Sequence, residues 1–259
     1  MNIVVCVKQV PDTWAERTLR AEDSRLDRAA VDGVINELDE YAIEEGLRLA
    51  EAHGGEVTIL SMGPEMASES IRKALSMGAD KAVHLVDDAL AGSDALATSL
   101  ALATVLRRTG FDLVILGSES TDARMGMLAA MLAERLGVAQ LSLASKVEID
   151  GGAITIQRQT DYGYDKVEGS LPAVVSVVEK INEPRYPSFK GIMAAKKKPV
   201  QTMSLADAGI DAALVGAAGA STEGVDFARR PPREAGTIVK DEADGGVKVA
   251  EFLAARKFI

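Results

Sequence analysis

Residues 2–10, NIVVCVKQV, form an almost unbroken apolar run without alternation, and similar runs follow at 56–63 (EVTILSMG), 81–88 (KAVHLVDD) and 111–121 (FDLVILGSEST). A strand buried on both faces has this pattern, as at the centre of a parallel sheet. Between the runs the apolar positions take helical spacing. ELDEYAIEEGLRLAEAHGG follows Asn36, carries Leu38, Tyr41, Ala42, Leu47 and Leu49, and ends in two glycines. PEMASESIRKALSMGAD has proline near its first turn and glycine at its close. SDALATSLALATVLRRTG offers Ser93 or Asp94 as its cap, and RMGMLAAMLAERLG follows the fourth strand directly. Strands alternating with helices of this length predict right-handed crossovers and an open parallel sheet with helices on both faces.

After Gly137 the pattern changes. SKVEIDGGAITIQRQTDYGYDKVEGSLPAVVSVVEK alternates apolar and polar residues around Asp150-Gly151-Gly152, which predicts an antiparallel hairpin feeding the strand AVVSVV. The α/β domain is expected to span 1–199. Its last stretch, NEPRYPSFKGIMAAKKKP (182–199), has too many prolines for a continuous helix and reads as a basic loop with apolar anchors. Beyond Pro199, ARRPPREAGTI predicts an exposed linker and GGVKVAEFLAARKFI a short terminal helix. Residues 200–259 are therefore expected to form an arm that lies on a partner subunit.

Composition narrows the function. The 259 residues are 47% hydrophobic but only 4% aromatic, so Ala, Val, Leu and Ile must build the core. A net charge of −10 excludes general affinity for nucleic acid or anionic membranes. The single cysteine, Cys6, excludes an internal disulfide. With neither an apolar run of membrane-spanning length nor a signal-peptide pattern, a cytoplasmic protein is expected, without direct membrane insertion.

Recognised catalytic constellations are missing. There is no GxGxxG, GxxxxGK[ST] or HExxH, and two histidines with one cysteine are too few for a zinc site. His53 reads as a helix-end residue, His84 as a core residue, and Cys6 as an inert buried thiol. The pairs Asp87-Asp88 and Glu44-Glu45 read as solvated faces or caps, and Met125, Met127 and Met131 as core filling. No acid/base chemistry is expected, so the chain reads as a non-enzyme.

Ligands of open parallel sheets lie outside the strands' carboxyl ends. The relevant segments are 8–14, 61–66, 116–127 and the helix start at Asn36. The third combines Gly117, three hydroxyl side chains, Asp122, Arg124 and Gly126 ahead of a helix, a composition suited to a phosphate.

KINEPRYPSFKGIMAAKKKP resembles the signature segment of the electron transfer flavoprotein β subunit. VVCVKQVPDT, DGVINELDEYAIEEGLRL, SMGPEMASESIRKALSMGADKAVHL, DLVILGSESTD and LPAVVSVVEKINEPR follow that family in order, and the resemblance covers residues 1 to about 210. It implies an adenine nucleotide-binding, Rossmann-like fold and a heterodimer whose α subunit holds most of an FAD. The pair would carry single electrons from acyl-CoA dehydrogenases to a membrane-bound quinone oxidoreductase, in fatty acid β-oxidation.

The same resemblance implies the site residues. AMP would lie against Cys6, Asn36, Glu37, Leu38, Asp39, Met62, Gly117 and the run Thr121, Asp122, Ala123, Arg124, Met125, Gly126, Met127 and Leu128. The flavin edge would be met by Val10, Asp12, Thr13 and Trp14. Pro187, Ser188, Phe189, Lys190, Gly191, Ile192, Met193 and Lys196 would form the loop that recognises the dehydrogenase, with Lys190, Lys196, Lys197 and Lys198 steering encounter. The family usually carries a run close to DGDTAQVG where this chain has DARMGMLA, and Gln159 stands where many relatives have Glu. Two alternatives remain open: an electron-bifurcating β subunit with a second FAD in place of AMP, and a stand-alone ATP-binding protein of the stress-regulatory kind.

Overall fold

The computed structural model describes residues 1–233, 236 and 238–259. The chain runs β1 (Asn2–Cys6), β2 (Gln9–Pro11), β3 (Gly33–Ile35), α1 (Glu37–His53), β4 (Glu56–Met62), α2 (Ser68–Met77), β5 (Lys81–Leu85) and α3 (Ala95–Thr109). It continues through β6 (Leu113–Gly117), α4 (Leu128–Leu136), β7 (Ala139–Asp150), β8 (Ala153–Thr160), β9 (Gly163–Ser170) and β10 (Ala173–Val177). Then come α5 (Phe189–Ala195), β11 (Val200–Met203), α6 (Leu205–Ala208), α7 (Gly216–Gly219) and α8 (Gly245–Ala255).

Among the described residues the main sheet has nine strands, ordered β11-β5-β4-β1-β6-β10-β7-β8-β9. The seven from β11 to β7 are parallel, and β8 and β9 add an antiparallel meander at one edge. Alternate side chains of the central strands point to opposite faces, as the two-residue strand period requires. Ile3 and Val5 join Ile43, Leu47, Ile71 and Leu75 of α1 and α2 on one side. Val4 and Cys6 join Leu102, Leu106, Leu132 and Ala133 of α3 and α4 on the other. The predicted α/β fold, with helices on both faces, is therefore observed.

Several elements depart from the sequence reading, each for a local reason. The first apolar run stops at Cys6, and Gln9–Pro11 leaves the sheet to pair antiparallel with Gly33–Ile35. RMGM (124–127) is loop, because left-handed backbone at Arg124 (φ 48°) and Gly126 (φ 64°) delays α4 until Leu128. The antiparallel segment is a three-stranded meander with a second turn at 161–162. Asp94, rather than Ser93, caps α3 by accepting from Ala97 N at 2.9 Å.

Two compact units are present, Met1–Val225 and Asp226–Ile259. Residues 200–225 thus join the first unit rather than an arm beginning at 200, because Val200–Met203 extends the parallel sheet beside β5. The second unit contains α8, whose Phe252 ring lies 4.8 Å from the Arg256 guanidinium carbon. The expected linker at 228–238 falls partly outside the described residues. No helix among the described residues is long and apolar enough to cross a membrane.

Candidate functional site

The strand order fixes where a site can form. From β1 the chain passes through α1 to β4 on one side, whereas β6, on the other side of β1, leads away through α4. The crevice outside the carboxyl ends of β1 and β6 is the switch point of the sheet. Three segments meet there by hydrogen bonds.

Asn36 occupies the N-cap position of α1, yet its side chain does not cap that helix. Instead Nδ2 donates to Asp39 Oδ1 at 2.9 Å and to the Glu119 carbonyl at 3.0 Å, while Oδ1 accepts from Thr121 N at 3.0 Å. Asp39, one turn into α1 and 5% exposed, accepts from Lys8 N at 2.8 Å and Gly117 N at 3.3 Å. Burial pushes its carboxyl up to about 7 against the opposing pull of these donors. Gly117 permits the approach: a Cβ there would lie 2.7 Å from Asp39 Oδ1 and 2.8 Å from the Leu38 carbonyl carbon.

A charged ring sits beside this hub. Lys8 Nζ lies 2.9 Å from Asp122 Oδ1 and 3.2 Å from Ser120 Oγ, and Arg28 Nη2 bonds Asp122 Oδ2. Arg17 Nη1 donates to the Thr121 carbonyl at 2.6 Å. The Asp122 side chain is fully buried between its two cations. Burial alone would raise its pKa, but the Lys8 and Arg28 charges outweigh burial and hold it well below the carboxylate range. Thr121 Oγ1 is buried without a hydrogen-bond partner. Beyond it Ala123, Arg124, Met125, Gly126 and Met127 are exposed, which corrects the expectation that Met125 and Met127 fill the core. The backbone is left-handed at Arg124 and Gly126 and right-handed at Met127, the N-cap of α4.

The remaining site residues divide. Cys6 is buried, its thiol pushed up to about 12 by burial and by the Asp39 charge, and so is inert as expected. Met62 and Leu128 pack half-buried against the α3/α4 side of the core. Thr13 Oγ1 donates to Glu37 Oε1 at 3.1 Å, which joins the loop after β2 to the start of α1. Val10 is buried within β2, while Trp14 is 95% exposed and Asp12 Oδ1 accepts its backbone N–H at 3.0 Å. Sequence reasoning missed the roles of Lys8, Arg17 and Arg28. Lys8 lies in a loop already selected by position, but Arg17 and Arg28 come from 15–32, a stretch without periodic pattern.

The segment at 182–198 is anchored at one end and exposed at the other. Glu44 and Glu45 of α1 are buried, not solvated. Glu45 Oε2 accepts from Asn182 Nδ2 at 3.1 Å, and Glu44 receives Arg185 through Nε at 2.7 Å and Nη2 at 3.0 Å. Arg185 also reaches Glu51 at 2.6 Å. The expected loop contains α5, capped by Ser188 Oγ, which accepts from Gly191 N at 3.0 Å. At Gly191 any Cβ would collide with the Ser76 carbonyl, so glycine lets α5 lie against α2. Phe189 is 81% exposed, and Ile192, Met193, Lys190, Lys196 and Lys197 are also exposed, with Pro187 half-buried. Lys198 is a correction: its Nζ donates to the carbonyls of Leu75, Gly78 and Ala79 at 2.6–3.0 Å, closing the end of α2 rather than facing a partner. His84 is a core residue, its Nε2 3.1 Å from the Gly63 carbonyl.

A doubly wound α/β sheet with a polar network at its switch point defines the class: proteins that take ligands outside the carboxyl ends of their strands. The electron transfer flavoprotein domain matches residues 24–208. The chain is 52% identical to an electron transfer flavoprotein subunit beta of Mycobacterium tuberculosis strain H37Rv, over all of this chain and 99% of that protein. It is 34% identical to the subunit of the same name from Megasphaera elsdenii over the full length of both. Protein FixA of Azorhizobium caulinodans is 38% identical over 82% of this chain and 78% of its own length. The chain belongs to the β-subunit family of electron transfer flavoproteins.

Proposed function

We propose that the chain is the β subunit of a cytoplasmic heterodimeric carrier. It binds AMP at the switch point, closes one side of an FAD held mostly by an α subunit, and passes single electrons from acyl-CoA dehydrogenases to a membrane-bound quinone oxidoreductase. The observation that carries the nucleotide site is the convergence of Lys8, Asn36, Asp39, Gly117 and Thr121 on one crevice. The orphaned Thr121 hydroxyl and the exposed residues 124–127, left-handed at Arg124 and Gly126, fit a phosphate there.

When bound, the flavin supplies the electron chemistry. The residues of this chain hold and orient. Asn36 and Asp39 keep the 117–122 loop in place before any ligand arrives, so little ordering remains to be done on binding. Trp14 offers an exposed aromatic face on the loop assigned to the flavin edge. Gln159 Oε1 and Thr160 Oγ1 are also buried without partners, which supports a group covering that end of β8. Phe189, with Ile192 and Met193, supplies the apolar anchor for a dehydrogenase, and Lys190, Lys196 and Lys197 steer the encounter. The exposed Val247, Val249, Phe252, Phe258 and Ile259 of the second unit suit packing on the α subunit.

The test is to purify the heterodimer, release its nucleotides by heat and quantify them. One FAD and one AMP per pair is the expected result. A second reading, FAD in place of AMP, is favoured by the openness of the 123–127 loop, and two FADs without AMP would establish it. ATP with no flavin and no second subunit would overturn both readings.

A further inference from the structure

We propose that Arg17 and Arg28 are positioning residues: they lock the excursion 12–32 onto the loop after β6, so that a nucleotide held at Thr121 also fixes Trp14. The inference rests on the nucleotide reading above and extends it to the loop assigned to the flavin edge. From Asp12 to Val34 no residue is buried, so this excursion has no apolar core of its own. At its base Pro11 pairs with Gly33, and Asp12 N donates to the Asp32 carbonyl at 3.0 Å. Farther out Leu19 bridges antiparallel to Leu26, and the same register sets Arg17 opposite Arg28. At the tip Arg25 lies against Gly92, where a Cβ would come within 2.1 Å of its Nη1. Each limb sends one arginine to the loop after β6: Arg17 to the Thr121 carbonyl, and Arg28 to Asp122. The excursion is a strap held down by polar contacts.

Strap and site meet at Thr121. Its N–H donates to Asn36 Oδ1 at 3.0 Å, its carbonyl accepts from Arg17 Nη1 at 2.6 Å, and its buried hydroxyl has no partner. A phosphate that takes up that hydroxyl therefore holds Thr121 in the orientation Arg17 grips. Asp122 follows directly, its carboxylate kept in place for Arg28 by Lys8 Nζ at 2.9 Å. The strap has two arrangements, docked through both arginines or released from them, and a ligand that favours one orientation of Thr121 shifts the balance toward docking. Linkage makes the effect mutual, because the docked strap favours the ligand by the same factor. Trp14 follows the strap. It lies three residues before Arg17, in a turn where Asp12 Oδ1 accepts its N–H at 3.0 Å and the Asp12 carbonyl accepts from Ala15 N at 3.1 Å.

The experiment is hydrogen–deuterium exchange, read by peptide mass, on the αβ heterodimer stripped of nucleotide, with AMP at saturation as the probe. It compares wild type, Arg17→Gln and the double variant Arg17→Gln/Arg28→Gln. Both arginines are exposed, so their replacement leaves the core intact. Without nucleotide, residues 12–32 should exchange about fivefold faster or more in the double variant than in wild type, since two hydrogen bonds that hold the strap are lost. Equal rates overturn the docking. With AMP, wild type should slow at 117–127 and at 12–32 together, the strap by about fivefold or more, whereas the double variant should slow at 117–127 alone. A wild-type strap that ignores AMP while 117–127 slows overturns the inference. So does a strap that still slows in the double variant, because the nucleotide would then act on it without the arginines. Should the double variant lose AMP, Arg17→Gln carries the same comparison, since it leaves Lys8 and Arg28 on Asp122. Wild type in which AMP slows neither region defeats the AMP reading itself.

Discussion

The switch-point network and the α5 segment are both held by α1, yet they are built oppositely. At the amino end of α1, Asn36 and Asp39 are buried and bonded to two other segments, and the polar groups face inward. Farther along the same helix, Glu44 and Glu45 grip Asn182 and Arg185, but the chain beyond them turns its apolar side chains outward. A ligand site is favoured by rigidity before binding, since each group already in place costs no ordering later. A docking surface for transient partners needs a firm base and an uncommitted tip. One helix therefore carries a closed polar site and an open apolar one.

Asp39→Ala should have the largest effect on this contrast. It leaves the Lys8 and Gly117 amides and the Asn36 amide short of an acceptor in a buried place, and a loss of about 3 kcal/mol in urea unfolding is expected. A loss under about 1 kcal/mol would mean that the hub is not the keystone of the loop. Arg185→Ala comes next. It strands the buried Glu44 carboxylate, and about 2 kcal/mol is expected, less than for a fully buried pair because the arginine is one-third exposed. Dehydrogenase-dependent reduction should slow in the same variant while nucleotide content holds.

The pH dependence sharpens the comparison within the site. The folded-state pKa of Asp39 lies above its ordinary value of 3.8, at about 7, so its contribution is present below pH 3.8 and is lost as pH rises toward 7. Asp122 has the opposite sign: its pKa is depressed, so its contribution is present above 3.8 and is lost as pH falls below that value. Denaturant titrations from pH 8 to 3 should show stability from Asp39 increasing on acidification and then stability from Asp122 being lost. Asp39→Asn should flatten only the first part and Asp122→Asn only the second.

Phe189→Ala should change stability least, by no more than about 0.5 kcal/mol, because the ring is exposed. Reduction by a dehydrogenase should nonetheless slow about tenfold, as expected for loss of an interface anchor. Stopped-flow kinetics of the flavin checks this, and an unchanged rate would remove Phe189 as the anchor.

What the chain's own pattern determined is the layered core. Residues such as Val4, Val5, Ile59 and Leu113 report burial on both faces through continuous apolar runs, and Leu47 and Leu75 report helix faces through spacing, because burial acts residue by residue and leaves a local periodic trace. The loops at the strand ends followed from the topology, so Asn36, Asp39, Gly117 and Thr121 were within reach. Other features left no local trace. Glu44 and Glu45 look solvated until Asn182 and Arg185 arrive from more than 130 residues away, and Lys198 looks like one more surface lysine until the end of α2 meets it. Arg28 finds Asp122 from 94 positions away. Apolar burial is non-directional and is written into the composition of each segment. Polar partnership depends on where two particular atoms meet, and only the packed fold decides that.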